Sequence, residues 1–307
     1  MQKRKIWENF LQWVLPCVLL VIALVLSIYD FNNKMEIAIQ TVVDDQAEQI
    51  GLYYAAGVED KLKALGNITD AVASIMAARL DRGEAFLNEK LDTLMKASDA
   101  YMVVYCATNG TGFLNDRRQI DMTELNYYDS ILGETPHYLF TRSDGINGQM
   151  AFIYVCPITN SGNVNGYLLS YMEPAEMSDF FENSVYGDKA FFSLVDRNGT
   201  IMACYGATQG TKILQNDFWN SLKGVAESLG SWTLFDRQQQ KGDNGILHVN
   251  ENGVGKILCH FPIADTAWNL VVGIDESYLS GIQQSFRGPI VDLIVKISIS
   301  IAAALIV

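Results

Sequence analysis

The sequence predicts an α+β protein, in which a long N-terminal helix leads into two tandem domains built on antiparallel sheets, with a transmembrane helix at each flank. Three observations carry this prediction. Two apolar segments bracket the chain: 9–29 holds no charged residue, and 288–307 is interrupted only by Asp292, Lys296 and a few serines. Apolar residues recur at spacings of three and four from Phe31 to Met76, with no proline among them. From residue 100 onward the pattern changes to short apolar runs punctuated by Asn-Gly and Asp-Gly pairs, and that pattern occurs twice.

The flanking segments come first. A bilayer core is crossed by roughly 20 apolar residues of helix, and 9–29 meets that length alone. Lys3, Arg4 and Lys5 precede it. Basic flanks stay in the cytoplasm, so the N-terminus is expected inside and the central region outside. A signal peptide has a shorter core and a small-residue cleavage site. This segment instead ends in Ser27-Ile28-Tyr29-Asp30, which reads as an uncleaved anchor. Asp292 and Lys296, four apart in the first turns of the second segment, are expected to snorkel to the interface. No Lys or Arg follows 302–307, whereas a second span should be followed by basic residues. The expectation is therefore a fragment, with a cytoplasmic output domain missing.

The chain carries a net charge of -13, and 30–287 holds 18 basic against 33 acidic residues. That balance argues against nucleic acid and anionic lipid headgroups as partners and is otherwise a matter of solubility. Cys17 lies in the first span, and Cys106, Cys156, Cys204 and Cys259 lie where a disulfide is permitted. None has CxxC spacing, and each sits in a strand-like run, which suggests buried thiols. His137, His248 and His260 form no ligand cluster, so no metal site is expected.

Along the chain, the first soluble element is a stalk helix over 30–78, and Arg79-Leu80-Asp81-Arg82-Gly83 ends it. A second helix is expected over 84–98, with Phe86, Leu87, Leu91, Leu94 and Met95 on one face. Strands follow at 100–106, 138–142, 150–156 and 166–172, the first closed by a turn at Asn109-Gly110. The second set has strands at 190–196 and 201–205 around Asn198-Gly199, a helix over 217–229, and strands at 231–235, 245–249, 255–261 and 268–274. Asn109-Gly110-Thr111 aligns with Asn198-Gly199-Thr200, and Cys156-Pro157-Ile158 with Phe261-Pro262-Ile263. An internal duplication of about 90 to 105 residues follows. The expected division is 1–8 cytoplasmic, 9–29 first span, 30–78 stalk, 79–182 membrane-distal domain, 183–287 membrane-proximal domain and 288–307 second span, truncated.

No catalytic constellation stands out, since GxxxxGK[ST], GxSxG and HExxH are all absent, and no cofactor is implied. Asp44-Asp45 and Glu59-Asp60 read as solvated helix faces, and Asp144-Gly145 and Asp243-Asn244-Gly245 as turn chemistry. Arg117 and Arg142 are candidates to clamp a carboxylate through paired charge-assisted bonds, or else they form ordinary ion pairs. Tyr127, Tyr128, Tyr154 and Tyr171 are candidates to line a pocket with an apolar wall and a hydroxyl tip, or else they pack the core.

Several segments then carry a resemblance. Asn126-Tyr127-Tyr128-Asp129-Ser130-Ile131-Leu132-Gly133, the run 152–158 with Gly162-Asn163-Val164-Asn165-Gly166, and Val195-Asp196-Arg197-Asn198-Gly199-Thr200-Ile201 resemble, in this order, the motifs of the double Cache sensor region. This tandem PAS-like module occurs in bacterial chemoreceptors, histidine kinases and diguanylate cyclases. The resemblance implies two Cache domains and a small-molecule ligand, anionic in the reading that uses Arg117 and Arg142. It places the ligand in the distal domain, between the sheet and the segment 115–136. Amino-acid-binding members carry an arginine-x-tryptophan pair there and a late aspartate. This chain has no tryptophan in that segment, and Tyr171 stands near the position of the aspartate. The expected function is extracellular sensing, with a histidine kinase output ahead of a diguanylate cyclase and a chemoreceptor tail. Phe31, Met35 and Ile39 are expected to pair two copies as a parallel homodimer. The competing classes are a membrane-anchored extracytoplasmic enzyme and a ligand-free structural or adhesion module.

Overall fold

The computed structural model describes residues 2–79, 83–182, 187–206, 214, 217–278, 292 and 296, with backbone alone for 2–21, 24–25, 179, 182 and 188. The chain forms two compact units, 48–274 and 1–47 with 275–307. Helix α1 runs over Gln2–Ala77. Stalk and first apolar segment are therefore one uninterrupted helix.

In the 48–274 unit, α1 buries one stripe. Tyr54, Val58, Leu62, Leu65, Thr69, Val72 and Met76 are buried, at spacings of three and four. Leu52, Tyr53 and Ile75, equally apolar, point outward. Two glycines let other elements approach the helix. A Cβ at Gly51 would lie 2.0 Å from the Phe261 ring, and one at Gly66 would lie 2.8 Å from the Tyr138 hydroxyl. Helix α2 (Glu84–Ala97) buries Leu87, Leu91 and Leu94, as its periodicity predicts.

The first sheet, called distal only as a label taken from the expected domain order, comprises β1 (Met102–Ala107), β2 (Thr111–Leu114), β3 (Gln119–Asp121), β4 (His137–Thr141), β5 (Ala151–Asn160) and β6 (Asn163–Met172), in the order β3-β2-β1-β6-β5-β4. Gly110, at φ 86°, makes the β1–β2 turn that the Asn-Gly pair predicts. Short helices α3 (Tyr128–Ile131) and α4 (Ser178–Glu182) precede β4 and follow β6 respectively.

The second sheet, called proximal as a label in the same sense, comprises β7 (Ala190–Asp196), β8 (Ile201–Gly206), β9 (Gly245–Glu251), β10 (Val254–Pro262) and β11 (Trp268–Asp275), in the order β8-β7-β11-β10-β9. Without the short edge strand β3, the two sheets share one antiparallel order. Pro157 and Pro262 occupy the corresponding strands β5 and β10, as the duplication requires. Rings join the two halves: Phe181 of α4 stacks on Tyr205 of β8 at 4.5 Å, and Trp268 of β11 lies 5.2 Å from Phe152 of β5.

Three expectations need correction. The strand expected at 231–235 is part of helix α6 (Leu229–Lys241). Its aromatic run suggested a strand, but Trp232, Phe235 and Gln239 are buried at helical spacing while Leu234 is 55% exposed. The Ser228 hydroxyl caps the helix by accepting from the Ser231 amide, and Gly242 at φ 76° closes it. The helix expected over 217–229 is only α5 (Phe218–Lys223). It stops because the following residues pair with β9: Glu227 N donates to His248 O, and Asn250 N to Val225 O. Cys106, Cys156 and Cys259 are buried thiols, whereas Cys204 is exposed on β8.

In the other unit, the backbone is helical through 2–47. Among the described residues no helix is long and apolar enough to cross a membrane. Most side chains of 9–29, and nearly all of 288–307, lie outside the described residues. Asp292 and Lys296 are described and form an exposed ion pair.

Candidate functional site

The distal sheet has two faces, and strand alternation decides what each one does. On β5 and β6, Ile153, Val155, Leu169 and Tyr171 point away from α1 into a core closed by Met122, Tyr127 and Ile131. Phe152, Tyr154 and Ser170 point the other way. The candidate site is on the first face.

Its hub is Asp144, fully buried although its neighbours in the loop after β4 are exposed. One carboxylate oxygen accepts from the backbone N–H groups of Ile146, Asn147 and Gly148 at 2.9, 2.7 and 2.8 Å. The other accepts from the Tyr101 hydroxyl at 2.7 Å. Burial alone would push the Asp144 carboxyl up, but these hydrogen bonds hold it below the ordinary carboxylate range. The Tyr127 hydroxyl donates to the Asp144 carbonyl oxygen at 2.7 Å. Tyr127 has therefore committed its proton, so Tyr171, 3.2 Å away, donates to it. Burial pushes Tyr127 up to about 12 and Tyr171 well above its ordinary value. Neither is a base, and the Asp144 carboxylate is saturated with donors. The cluster shapes and orients; it has no free nucleophile.

Beside this hub an open cleft of about 520 Å³ lies between 118–126 and 143–146. The cleft is polar, with Arg118, Asp121, Glu124, Asn126 and Ser143 at its walls and Ile120, Leu125 and Ile146 toward the core. Arg118 Nε donates to Asp116 at 2.6 Å. Asp121 accepts from the Thr123 hydroxyl and amide at 2.6 and 2.9 Å, which holds its carboxyl low and fixes the 3-10 turn Met122–Glu124. Charge of both signs thus borders one opening.

Of the residues singled out from sequence, Tyr127 and Tyr171 meet in the hub, and Tyr128 packs half-buried against the same core. Arg117 is exposed in the β2–β3 turn at φ 71°, and Arg142 is exposed just after β4; neither borders the cleft. Tyr154 lies on the opposite face, where its hydroxyl donates to the Asp70 carboxylate of α1, 2.9 and 3.0 Å from its two oxygens. Sequence reasoning missed Tyr101, Asp144 and Arg118. The pair Asp116 and Arg118, two apart across a tight turn, was a signal that favoured Arg118 over Arg117.

No protein-family model and no curated protein matches the chain. Solved structures do. The ligand-binding domain of the Pseudomonas fluorescens chemoreceptor CtaA, in complex with L-isoleucine, superposes with a TM-score of 0.61 at 14% identity, over 80% of this chain and 97% of that one. That of the Campylobacter jejuni chemoreceptor Tlp3, in complex with L-norvaline, gives 0.59 at 14% identity, over 78% and 93%. The extracellular domain of rpHK1S-Z16, a chain assigned to the histidine kinases, gives 0.59 at 16% identity, over 78% and 98%. At such identities the likeness establishes architecture alone: this chain has the double Cache-type fold.

Proposed function

We propose that this chain is the ligand-sensing region of a membrane receptor, and that a small polar molecule binds the distal cleft beside the Asp144 hub. One observation carries the reading: consecutive residues of β6 serve the cleft and the helix. Tyr171 belongs to the hub, and Ser170 meets Thr69 of α1, hydroxyl to hydroxyl, at 2.7 Å. Tyr154 of β5 adds the bond to Asp70. A ligand that binds one position of the sheet more tightly than another therefore biases α1, which is what signalling requires. The mixed lining favours a ligand with a carboxylate for Arg118 and a cationic group for Asp121 or Glu124, over the plain anion that Arg117 and Arg142 suggested. The membrane spans, the paired copies and a histidine kinase output belong to this reading, and the sensor-domain fold supports them.

The test is thermal shift of the full chain against amino acids and small dicarboxylates. Arg118→Ala and Tyr127→Ala should weaken any response. Tyr154→Phe should preserve binding while reducing the ligand-dependent change in distance between spin labels at Ser74 and Asn160, because the Ser170–Thr69 contact remains. A response indifferent to both Arg118→Ala and Tyr127→Ala moves the site elsewhere.

A further inference from the structure

The proximal sheet covers one face with α5 and α6, and the seam between α6 and β11 holds a second opening, of about 240 Å³. Alternation along β11 places Asn269 on the same face as Val271, which packs with Trp232 and Phe235 of α6. Gln239, one turn beyond Phe235, is buried on the same side of the helix. Gln239 is 7% exposed and Asn269 5%. Both line the opening, and among the described residues neither Gln239 Nε2 nor Asn269 Oδ1 has a hydrogen-bond partner. Orphaned buried polar atoms are rare in native proteins. Here one donor and one acceptor are left over at the same place.

The rim supplies charge of a single sign. Arg197 and Lys241 line the opening, and among the described residues no acidic one does. Arg197 is steadied by one bond, Nη2 donating to Gln240 O at 3.1 Å, which leaves its other donors available. This is the reverse of the distal cleft, where the buried groups satisfy one another and the rim is mixed.

We propose that the α6–β11 seam is a second binding site, for a small organic anion that carries one further hydrogen-bonding group. The carboxylate meets Arg197 and Lys241, and the second group completes the amides of Gln239 and Asn269. This reading does not depend on the distal site. It also has a route outward: Trp268 borders the same opening, and its ring lies 5.2 Å from Phe152 and 6.2 Å from Tyr138 of the distal sheet.

The experiment is thermal unfolding of the full chain with 10 mM glycolate, malate or tartrate, and with ethylene glycol as the uncharged control. At least one acid should raise Tm by about 2–4 °C, the shift that one kcal/mol gives a domain of this size, and the diol should not. Arg197→Gln, a surface change, should cut the rise by more than half. Gln239→Leu and Asn269→Leu, close in shape, should abolish it. Side-chain amide NMR signals of Gln239 and Asn269 should move in the wild type with the same acid. The proposal is overturned if no acid shifts Tm, since the amides are then served by water alone, or if the shift survives in Arg197→Gln and in both leucine variants.

Discussion

Replacing Asp144 by alanine should be among the most damaging single changes in the distal domain. The carboxylate accepts four hydrogen bonds, three from consecutive backbone N–H groups and one from Tyr101, all between 2.7 and 2.9 Å. A bond to a charged acceptor contributes about 1.5–3 kcal/mol, and buried donors left without one cost about 1–3 kcal/mol each. The loop at 145–149 can reopen to water, which returns part of that cost, so the expected loss is about 3–5 kcal/mol. Asp144→Asn keeps one oxygen for the three backbone donors and should cost about 1–2 kcal/mol. Urea denaturation, with hydrogen exchange of the β1 amides to isolate the distal domain, is the assay. The carboxylate's native pKa is depressed, so its contribution is present above about pH 4 and lost as the pH falls through the native value. Asp144→Asn and wild type should therefore converge in acid. An alanine variant within about 1 kcal/mol of wild type, or one no worse than the asparagine variant, would refute the hub.

Other predictions follow from single contacts. Burial pulls His260 down to about 4 from an ordinary 6.5, against weaker upward pulls from the Phe235 backbone and Asp243. Its contribution is thus intact above pH 6.5 and lost between pH 6.5 and 4, by at most about 3 kcal/mol; His260→Leu should flatten that part of the stability–pH curve, and an unchanged slope would count against a buried neutral imidazole. Ser228→Ala should cost about 1 kcal/mol through loss of the α6 cap, measurable by chemical denaturation. A cysteine at Met35 should crosslink two copies in membranes, and silence there and at neighbouring positions would remove the paired-helix arrangement.

The sequence made the repeat legible because turn chemistry is local. Asn109-Gly110 and Asn198-Gly199 announce the same positive-φ turn, and both glycines adopt it, at 86° and 87°. The long helix was legible for the same reason, although which of its apolar residues are covered was not. Tyr53 and Tyr54 look alike in sequence, yet Tyr53 is 66% exposed and Tyr54 4%. Helix α6 was misread because Trp232 to Phe235 have strand propensity, and packing against Leu247, Val249 and Leu258 overrode it. Within the site, Asp144-Gly145 was correctly read as a turn. The turn uses one carboxylate oxygen and only tertiary structure shows the other one facing Tyr101, 43 residues away.

The shared strand order makes the two halves comparable. The two sheets share one strand order, apart from the short edge strand β3, and each presents one face to α1 or its neighbours and one face to a cover. In the distal copy the cover is a turn and a tyrosine cluster whose polar atoms are mutually satisfied, with the cleft to one side. In the proximal copy the cover is two helices, and their seam leaves Gln239 and Asn269 incomplete. A satisfied network resists displacement, because each group that moves must leave a partner. An incomplete one is stabilised by whatever completes it. The distal hub is therefore suited to hold a preformed cleft and pass its strain along β6 to Thr69. The proximal seam is suited to tighten when occupied, drawing β11 and its Trp268 ring with it. Two copies of one fold would then answer two ligands by two routes, the first through β6 and Thr69 and the second through the contact between Trp268 and Phe152.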